Sequence, residues 1–222
     1  MRRVRSSGAS VPVVALLALL ALLAGCGGDG EDTTVAAGDC ESVEDPGPVK
    51  REAQPPKADA PTAQGAVFET NCGSFTIAFD DRSPKTAASF QNLVEKGFYD
   101  GVIFHRVIDG FMAQTGDPTG TGTGGSQLPD IAEEFNRMPH VRGTVSMARA
   151  ASEDSANSQF FIVFYPRLNL DNNYTNFGRV ISNMAAVDAI QRGEPPANPT
   201  RVLQASIAAD NKPVPAMPAP QV

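Results

Sequence analysis

The run Phe104-His105-Arg106-Val107-Ile108-Asp109-Gly110-Phe111-Met112-Ala113-Gln114 constrains this chain more than any other. Two short apolar segments flank Asp109-Gly110, a dipeptide suited to a tight hairpin. A two-residue period then puts Arg106 on one strand and Phe111, Met112 and Gln114 on its neighbour. A fixed cation beside apolar walls is costly unless it has a partner. The stretch therefore marks a candidate site on a sheet, with Arg106 at its centre.

The ends of the chain follow other rules. Residues 1–25 begin with Arg2, Arg3 and Arg5, continue as an apolar run from Val11 to Ala24, and hold no acidic residue. That run is short for a spanning helix, which needs about 20 apolar residues, and it fits the hydrophobic region of an export signal. Leu23-Ala24-Gly25-Cys26 resembles a bacterial lipobox, whose cysteine is acylated and becomes the mature N-terminus. The alternatives are a plain secretory signal with an incidental cysteine, or an uncleaved anchor. The expectation is a chain exported and held by lipid at Cys26 to the outer face of a bacterial cell membrane. Each buried methylene of such an anchor contributes about 0.8 kcal/mol.

Loss of the three signal arginines would take the formal charge from −7 to −10. Seven acidic residues (Asp29, Glu31, Asp32, Asp39, Glu41, Glu44, Asp45) precede Lys50, and five prolines follow between 46 and 61. One-sided charge and scattered proline bury too little surface to offset ordering entropy. Residues 26–62 read as an acidic, solvated tether, and 211–222, rich in proline and alanine, as a disordered tail. The acidity argues against nucleic acid as a partner, because phosphate binding needs clustered lysine and arginine.

Residues 63–210 remain, one domain of ordinary size. Phe75, Ile77 and Phe79 alternate along one strand, and Asn71-Cys72-Gly73 turns it back from Val67-Phe68. Val102–Val107, Phe111–Gln114, Gly143–Ala148, Gln159–Phe164, Asn176–Ile181 and Val202–Ile207 read as further strands. One helix opens with Ser83 as N-cap and Pro84 at the first helical position, turns Ala87, Phe90 and Val94 inward, and stops at Gly97. A second carries Met184, Val187 and Ile190 and ends at Gly193. The fold expected is mainly β, a closed barrel with helices over its open ends.

Four motifs in order refine this: FHRVIDGFMAQTGDPTGTGTGG, Val145-Ser146-Met147-Ala148, Ser158-Gln159-Phe160-Phe161-Ile162 and Phe177-Gly178-Arg179-Val180. In identity, order and near-spacing they resemble the cyclophilin-type peptidyl-prolyl isomerases. The resemblance implies an eight-stranded antiparallel barrel capped by two helices. It also implies no cofactor, no metal and no covalent intermediate, with extended proline-containing segments of unfolded or exported proteins as partners. It makes Arg106 the donor to the prolyl nitrogen, and Gln114 a residue that hydrogen-bonds the substrate and helps orient the arginine. Phe111, Met112, Phe161 and Leu170 become the floor under the proline ring, and the backbone of Ala148 and Arg149 an edge for the peptide. Alone, Phe111 and Phe161 would read as core and Arg106 as a surface ion pair.

Several positions depart from the family pattern. Asn169 stands where the best-known members have a tryptophan, which implies weak cyclosporin sensitivity. Tyr174 replaces a rim histidine, Thr115 a glycine and Arg149 an asparagine, and the loop 150–157 is longer and more acidic. A second reading therefore stays open: a peptide-binding or chaperone module that keeps the groove without turnover. The glycines of Gly120–Gly125 satisfy a dinucleotide fingerprint but lack a strand before and a helix after, so a loop flanking the groove fits better. With only His105 and His140 in the chain, zinc is not expected and His105 reads as an orienting or packing residue. Asp80-Asp81 and Glu133-Glu134 read as solvated turn acids. With Cys26 acylated, Cys40 and Cys72 form an even pair suited to a disulfide in an oxidising compartment, or else stay as two thiols. Nothing in the sequence demands symmetry, so a monomer is the default.

Overall fold

The computed structural model describes residues 40–44 and 60–208. The signal, Cys26, most of the tether and the tail 211–222 lie outside the described residues. Among those described, no helix is long and apolar enough to cross a membrane.

The strands are β1 (Gly65–Thr70), β2 (Gly73–Phe79), β3 (Arg106–Ile108), β4 (Met112–Thr115), β5 (Thr144–Met147), β6 (Phe160–Val163), β7 (Asn176–Ser182) and β8 (Val202–Ile207). Helix α1 (Pro84–Glu95) lies between β2 and β3, and α2 (Met184–Asp188) between β7 and β8. Every strand pairing is antiparallel, in the order β3-β4-β6-β5-β7-β2-β1-β8. The expected closed barrel is corrected to an open half-barrel, because no ladder joins β3 to β8. The anticipated strand Val102–Val107 breaks up: Ile103 meets Arg201 in one isolated bridge, and only Arg106–Ile108 joins the sheet. Backbone bonds do link this stretch to the start of β8, with Val202 N–H donating to Val102 O and Phe104 N–H to Thr200 O at 2.9 Å each, but they do not extend into a ladder. Gly193 takes the outer edge of β3 instead, exchanging two 2.8 Å backbone hydrogen bonds with Val107, which shields that edge from other chains.

The concave face holds the main core. Phe68, Phe75 and Ile77 point into it from β1 and β2, as their two-residue period requires. Phe90 of α1 sits at its centre, with ring centroids 4.8 Å from Phe177 and 5.1 Å from both Tyr99 and Phe160. Such aromatic pairs contribute about 0.5–1.5 kcal/mol each beyond their buried area.

The helix termini differ in part from expectation. Pro84 does open α1, but the Ser83 hydroxyl does not cap it; it donates to the carbonyls of Glu134 and Asn176. The cap comes from Glu134, whose carboxylate accepts from the backbone N–H of Lys85 (3.1 Å) and Thr86 (2.7 Å). A negative charge there also complements the helix dipole. Past Lys96 the chain reverses at Gly97, whose positive φ of 63° favours glycine. Helix α2 is shorter than its apolar spacing suggested. It ends at Asp188, and the chain beyond it runs as a loop through Gly193. The chain is further cross-linked by a disulfide between Cys40 and Cys72, which ties residues 40–44 to the β1–β2 turn. The backbone N–H of Glu41 donates to Asn71 O at 2.8 Å beside it.

Candidate active site

Strand alternation gives the half-barrel a second apolar face. Ala113, Phe160 and Ile162 point into the main core, so Met112, Gln114, Phe161 and Val163 must point outward. Register then aligns them. Arg106 pairs with Gln114, Gln114 with Phe161, and Phe161 with Ser146, giving one row across β3, β4, β6 and β5. Ile108, Met112 and Val163 form the next row. Met112, Phe161, Val163 and Leu170 make a small buried cluster, with Phe111, Ala148 and Tyr174 packed against it. The turn that starts this arrangement is held by the Phe111 N–H, which donates to Ile108 O at 3.0 Å across Asp109-Gly110.

Above the cluster lies a cleft of about 830 Å³. Arg106, Phe111, Met112, Gln114 and Phe161 line it, and so do Ala148, Arg149, Leu170 and Tyr174. Asn169 does not line it; it is exposed on a short 3-10 turn at Leu168–Leu170. Phe161 is 5% exposed and forms the floor. Tyr174 meets it edge-on at 5.7 Å, and the His140 ring lies near-parallel to it at 6.3 Å. His140 is fixed by Asp171 Oδ1 at Nδ1 (2.8 Å) and Ser146 Oγ at Nε2 (3.0 Å). That connectivity is the one a serine nucleophile would use, but Ser146 and His140 are buried and do not line the cleft. Their role is to support the floor. Burial holds the His140 imidazole below the usual histidine range, with Asp171 opposing.

At the other side, Arg106 keeps its side chain 42% exposed. Its Nε donates to Glu194 Oε2 at 2.9 Å, and its Nη1 to Gln114 Oε1 at 3.4 Å. Gln114 Nε2 in turn donates to Gln159 Oε1 (2.8 Å), and Gln159 Nε2 to the carbonyls of Gly122 and Gly124 (3.0 and 2.8 Å). The glycine-rich loop thus walls the cleft, with Gly120, Thr121 and Gly122 lining it. Buried Asp117 holds that loop from inside. Its carboxylate accepts from the N–H and hydroxyl of Thr119 (2.7 Å each) and from the N–H of Gly122 (2.6 Å) and Gly124 (3.0 Å). Burial alone would raise the Asp117 carboxyl; these donors outweigh it and lower it. His105 packs against Gly122 with its ring largely buried. Burial lowers its pKa, Asp117 opposes, and Arg106 adds to the lowering.

On the groove edge the Ala148 N–H is taken by Gln159 O at 2.9 Å. Among the described residues neither backbone polar group of Arg149 is hydrogen-bonded. That leaves one N–H and one C=O open on the groove edge. The Arg149 side chain folds away, its guanidinium 4.9 Å over the Tyr174 ring and its Nε donating to Asn173 O. Sequence reasoning missed Glu194 and Pro195, which also line the cleft, and the Gln159 and His140 supports. Glu194 lies 88 residues from Arg106, so no local pattern could join them. Among the described residues no group of three His, Cys, Asp or Glu side chains is placed to hold a metal ion.

A half-barrel carrying an apolar cleft, an arginine on its wall and an open backbone edge is the build of a peptide-binding domain. The family model described as cyclophilin type peptidyl-prolyl cis-trans isomerase/CLD matches residues 66–207. A probable peptidyl-prolyl cis-trans isomerase of Brucella abortus is 47% identical over 148 residues, covering 60% of this chain and 76% of that one. A peptidyl-prolyl cis-trans isomerase of Synechococcus elongatus is 41% identical over 148 residues, covering 65% and 97%. Among solved structures, a Cryptosporidium parvum cyclophilin crystallised in the presence of the dipeptide Ala-Pro superposes with a TM-score of 0.62 at 29% identity, over 66% of this chain and 100% of that one. The chain belongs to the cyclophilin-type peptidyl-prolyl cis-trans isomerases.

Proposed function

We propose that Arg106 accelerates X-Pro rotation by donating a hydrogen bond to the prolyl nitrogen of the twisted transition state. A peptide bond resists rotation by about 18–20 kcal/mol because the nitrogen lone pair is delocalised into the carbonyl. Uncatalysed X-Pro exchange takes tens to hundreds of seconds. At the halfway twist conjugation is lost and the lone pair localises on nitrogen, where neither planar isomer concentrates it. A donor aimed there binds the transition state better than either ground state, which is the condition for catalysis. Arginine suits the task because its guanidinium is rigid and always charged. No bond breaks and no proton moves, so no base is required.

What supports this reading is one observation: Arg106 and Gln114 stand in register beside Phe161 on the same outward face of the sheet. Phe111, Met112, Phe161 and Leu170 grip the proline ring and exclude water, which strengthens a nearby charge–dipole contact. The free backbone of Arg149 pairs with the extended peptide, and Gln114 orients the guanidinium. The wider reading is of a monomeric foldase, exported and tethered by lipid at Cys26, acting on unfolded exported proteins. The basic and apolar leader, the lipobox-like Leu23-Ala24-Gly25-Cys26 and the acidic tether support it. The test is a protease-coupled proline-peptide assay on the full chain. Arg106→Ala should lower the catalysed rate roughly 100-fold, the scale for one transition-state donor. Equal catalysed rates for the two proteins would overturn Arg106 as the donor, and a wild-type rate no faster than the uncatalysed one would leave a peptide-binding module.

A further inference from the structure

The Arg106 guanidinium carries two tasks of alignment, and Gln114 meets only one of them. Gln114 reaches Nη1 at 3.4 Å, a long contact, whereas Glu194 holds Nε at 2.9 Å with a full negative charge. Charge-assisted hydrogen bonds of that length are about twice as strong as neutral ones. Among the described residues Nη2 makes no hydrogen bond. Two of the three nitrogens are therefore gripped from the protein side and one is left for a ligand.

Glu194 is itself fixed in place. Its neighbour Gly193 exchanges two 2.8 Å backbone hydrogen bonds with Val107, the residue after Arg106. Gly193 has φ +145°, and a Cβ there would meet Pro196 Cα at 2.5 Å, so only glycine admits this path. Pro195 and Pro196 stiffen the exit, because proline fixes φ. The segment is thus clamped to β3 on one side and rigid on the other, with the Glu194 carboxylate at the mouth of the cleft. An isolated exposed ion pair contributes little to stability. Glu194 is 52% exposed, so global stability does not explain its placement.

The geometry points to Glu194 as a positioning residue: by holding Arg106 Nε, it turns the remaining edge of the guanidinium toward the imide nitrogen. This inference rests on Arg106 being the catalytic donor. Misplacing a catalytic group by about 1 Å can cost up to 100-fold in rate. Loss of one of two grips should cost less, on the order of tenfold in turnover. Peptide affinity should barely change, since the apolar floor is untouched.

Exchange NMR on the full chain with a saturating Ala-Pro peptide measures turnover and dissociation constant separately. Glu194→Ala is expected to lower turnover about tenfold with the dissociation constant within about twofold of wild type. Glu194→Gln, which keeps an acceptor oxygen for Nε, is expected to recover to within about threefold of wild-type turnover. Added to Arg106→Ala, Glu194→Ala should produce no further loss, because the group it positions is gone. If Arg106→Ala is impaired while Glu194→Ala keeps wild-type turnover, or gains turnover, this inference falls and the catalytic reading stands. A loss seen only in the dissociation constant, or an equal further loss in the Arg106→Ala background, also overturns it. If Arg106→Ala is itself unimpaired, both readings fall.

Discussion

Phe160 and Phe161 are adjacent, equally aromatic and both buried, yet strand alternation assigns them to different parts of the molecule. Phe161→Ala removes a ring that is 5% exposed and lies against Tyr174 and His140. A buried Phe→Ala change costs about 3–5 kcal/mol. The lower end applies, because one side of the void opens onto the 830 Å³ cleft and water can fill it. A loss of about 3 kcal/mol in a domain of this size lowers Tm by roughly 6–12 °C. In the proposed binding mode the same change removes the floor under the proline ring, so peptide affinity should fall on the order of tenfold. Phe160→Ala acts on the other face. Its ring is fully buried among Phe68, Phe90 and Tyr99, at centroid distances of 5.7, 5.1 and 5.5 Å. There about 5 kcal/mol should be lost, with the affinity of the molecules that remain folded unchanged. Urea unfolding and peptide titration of both variants decide the matter. Weakened binding in Phe160→Ala with normal binding in Phe161→Ala would refute the assignment of faces.

Other perturbations test the supports of the site. Glu134→Ala should lower stability by about 1–2 kcal/mol through loss of the α1 cap, and Glu134→Gln by less than half of that, in the same urea experiment. Both histidine imidazoles are held low by burial, so the unfolded chain binds more protons than the folded one. Their contribution is complete above about pH 6.5 and is lost as pH falls toward their folded values; Tm should therefore drop between about pH 7 and pH 5, and a Tm that rises on acidification would contradict this. Reducing the Cys40–Cys72 bond, which closes a separation of 32 residues, should cost roughly 3–4 kcal/mol in the chain-entropy picture; calorimetry with and without reductant reads the loss.

Local chemistry makes some features of this protein readable from its sequence alone. The period of Phe75, Ile77 and Phe79, the Asp109-Gly110 turn and the proline at the start of α1 depend on neighbours within a few residues. Alternation through Phe111–Gln114 and Gln159–Phe164 likewise tells which side chains share a face. Features that depend on distant partners leave no such trace. The α1 cap comes from Glu134, 48 residues beyond Thr86, and the carboxylate on Arg106 from Glu194. Gly193, rather than a strand, pairs with Val107, and no pattern within Val102–Val107 foretells that. Helix α2 shows the converse: Met184, Val187 and Ile190 have helical spacing, yet the helix stops at Asp188. Apolar spacing marks the buried side of a segment without setting where it ends.

Arg106 acts either in the transition state or merely in binding. Arg106→Ala, measured by exchange NMR for turnover and by titration for peptide affinity, separates the two. The prediction is a turnover reduced roughly 100-fold with the dissociation constant within about threefold of wild type. A variant that rotates the imide as fast as wild type, or fails only by binding peptide poorly, would contradict it.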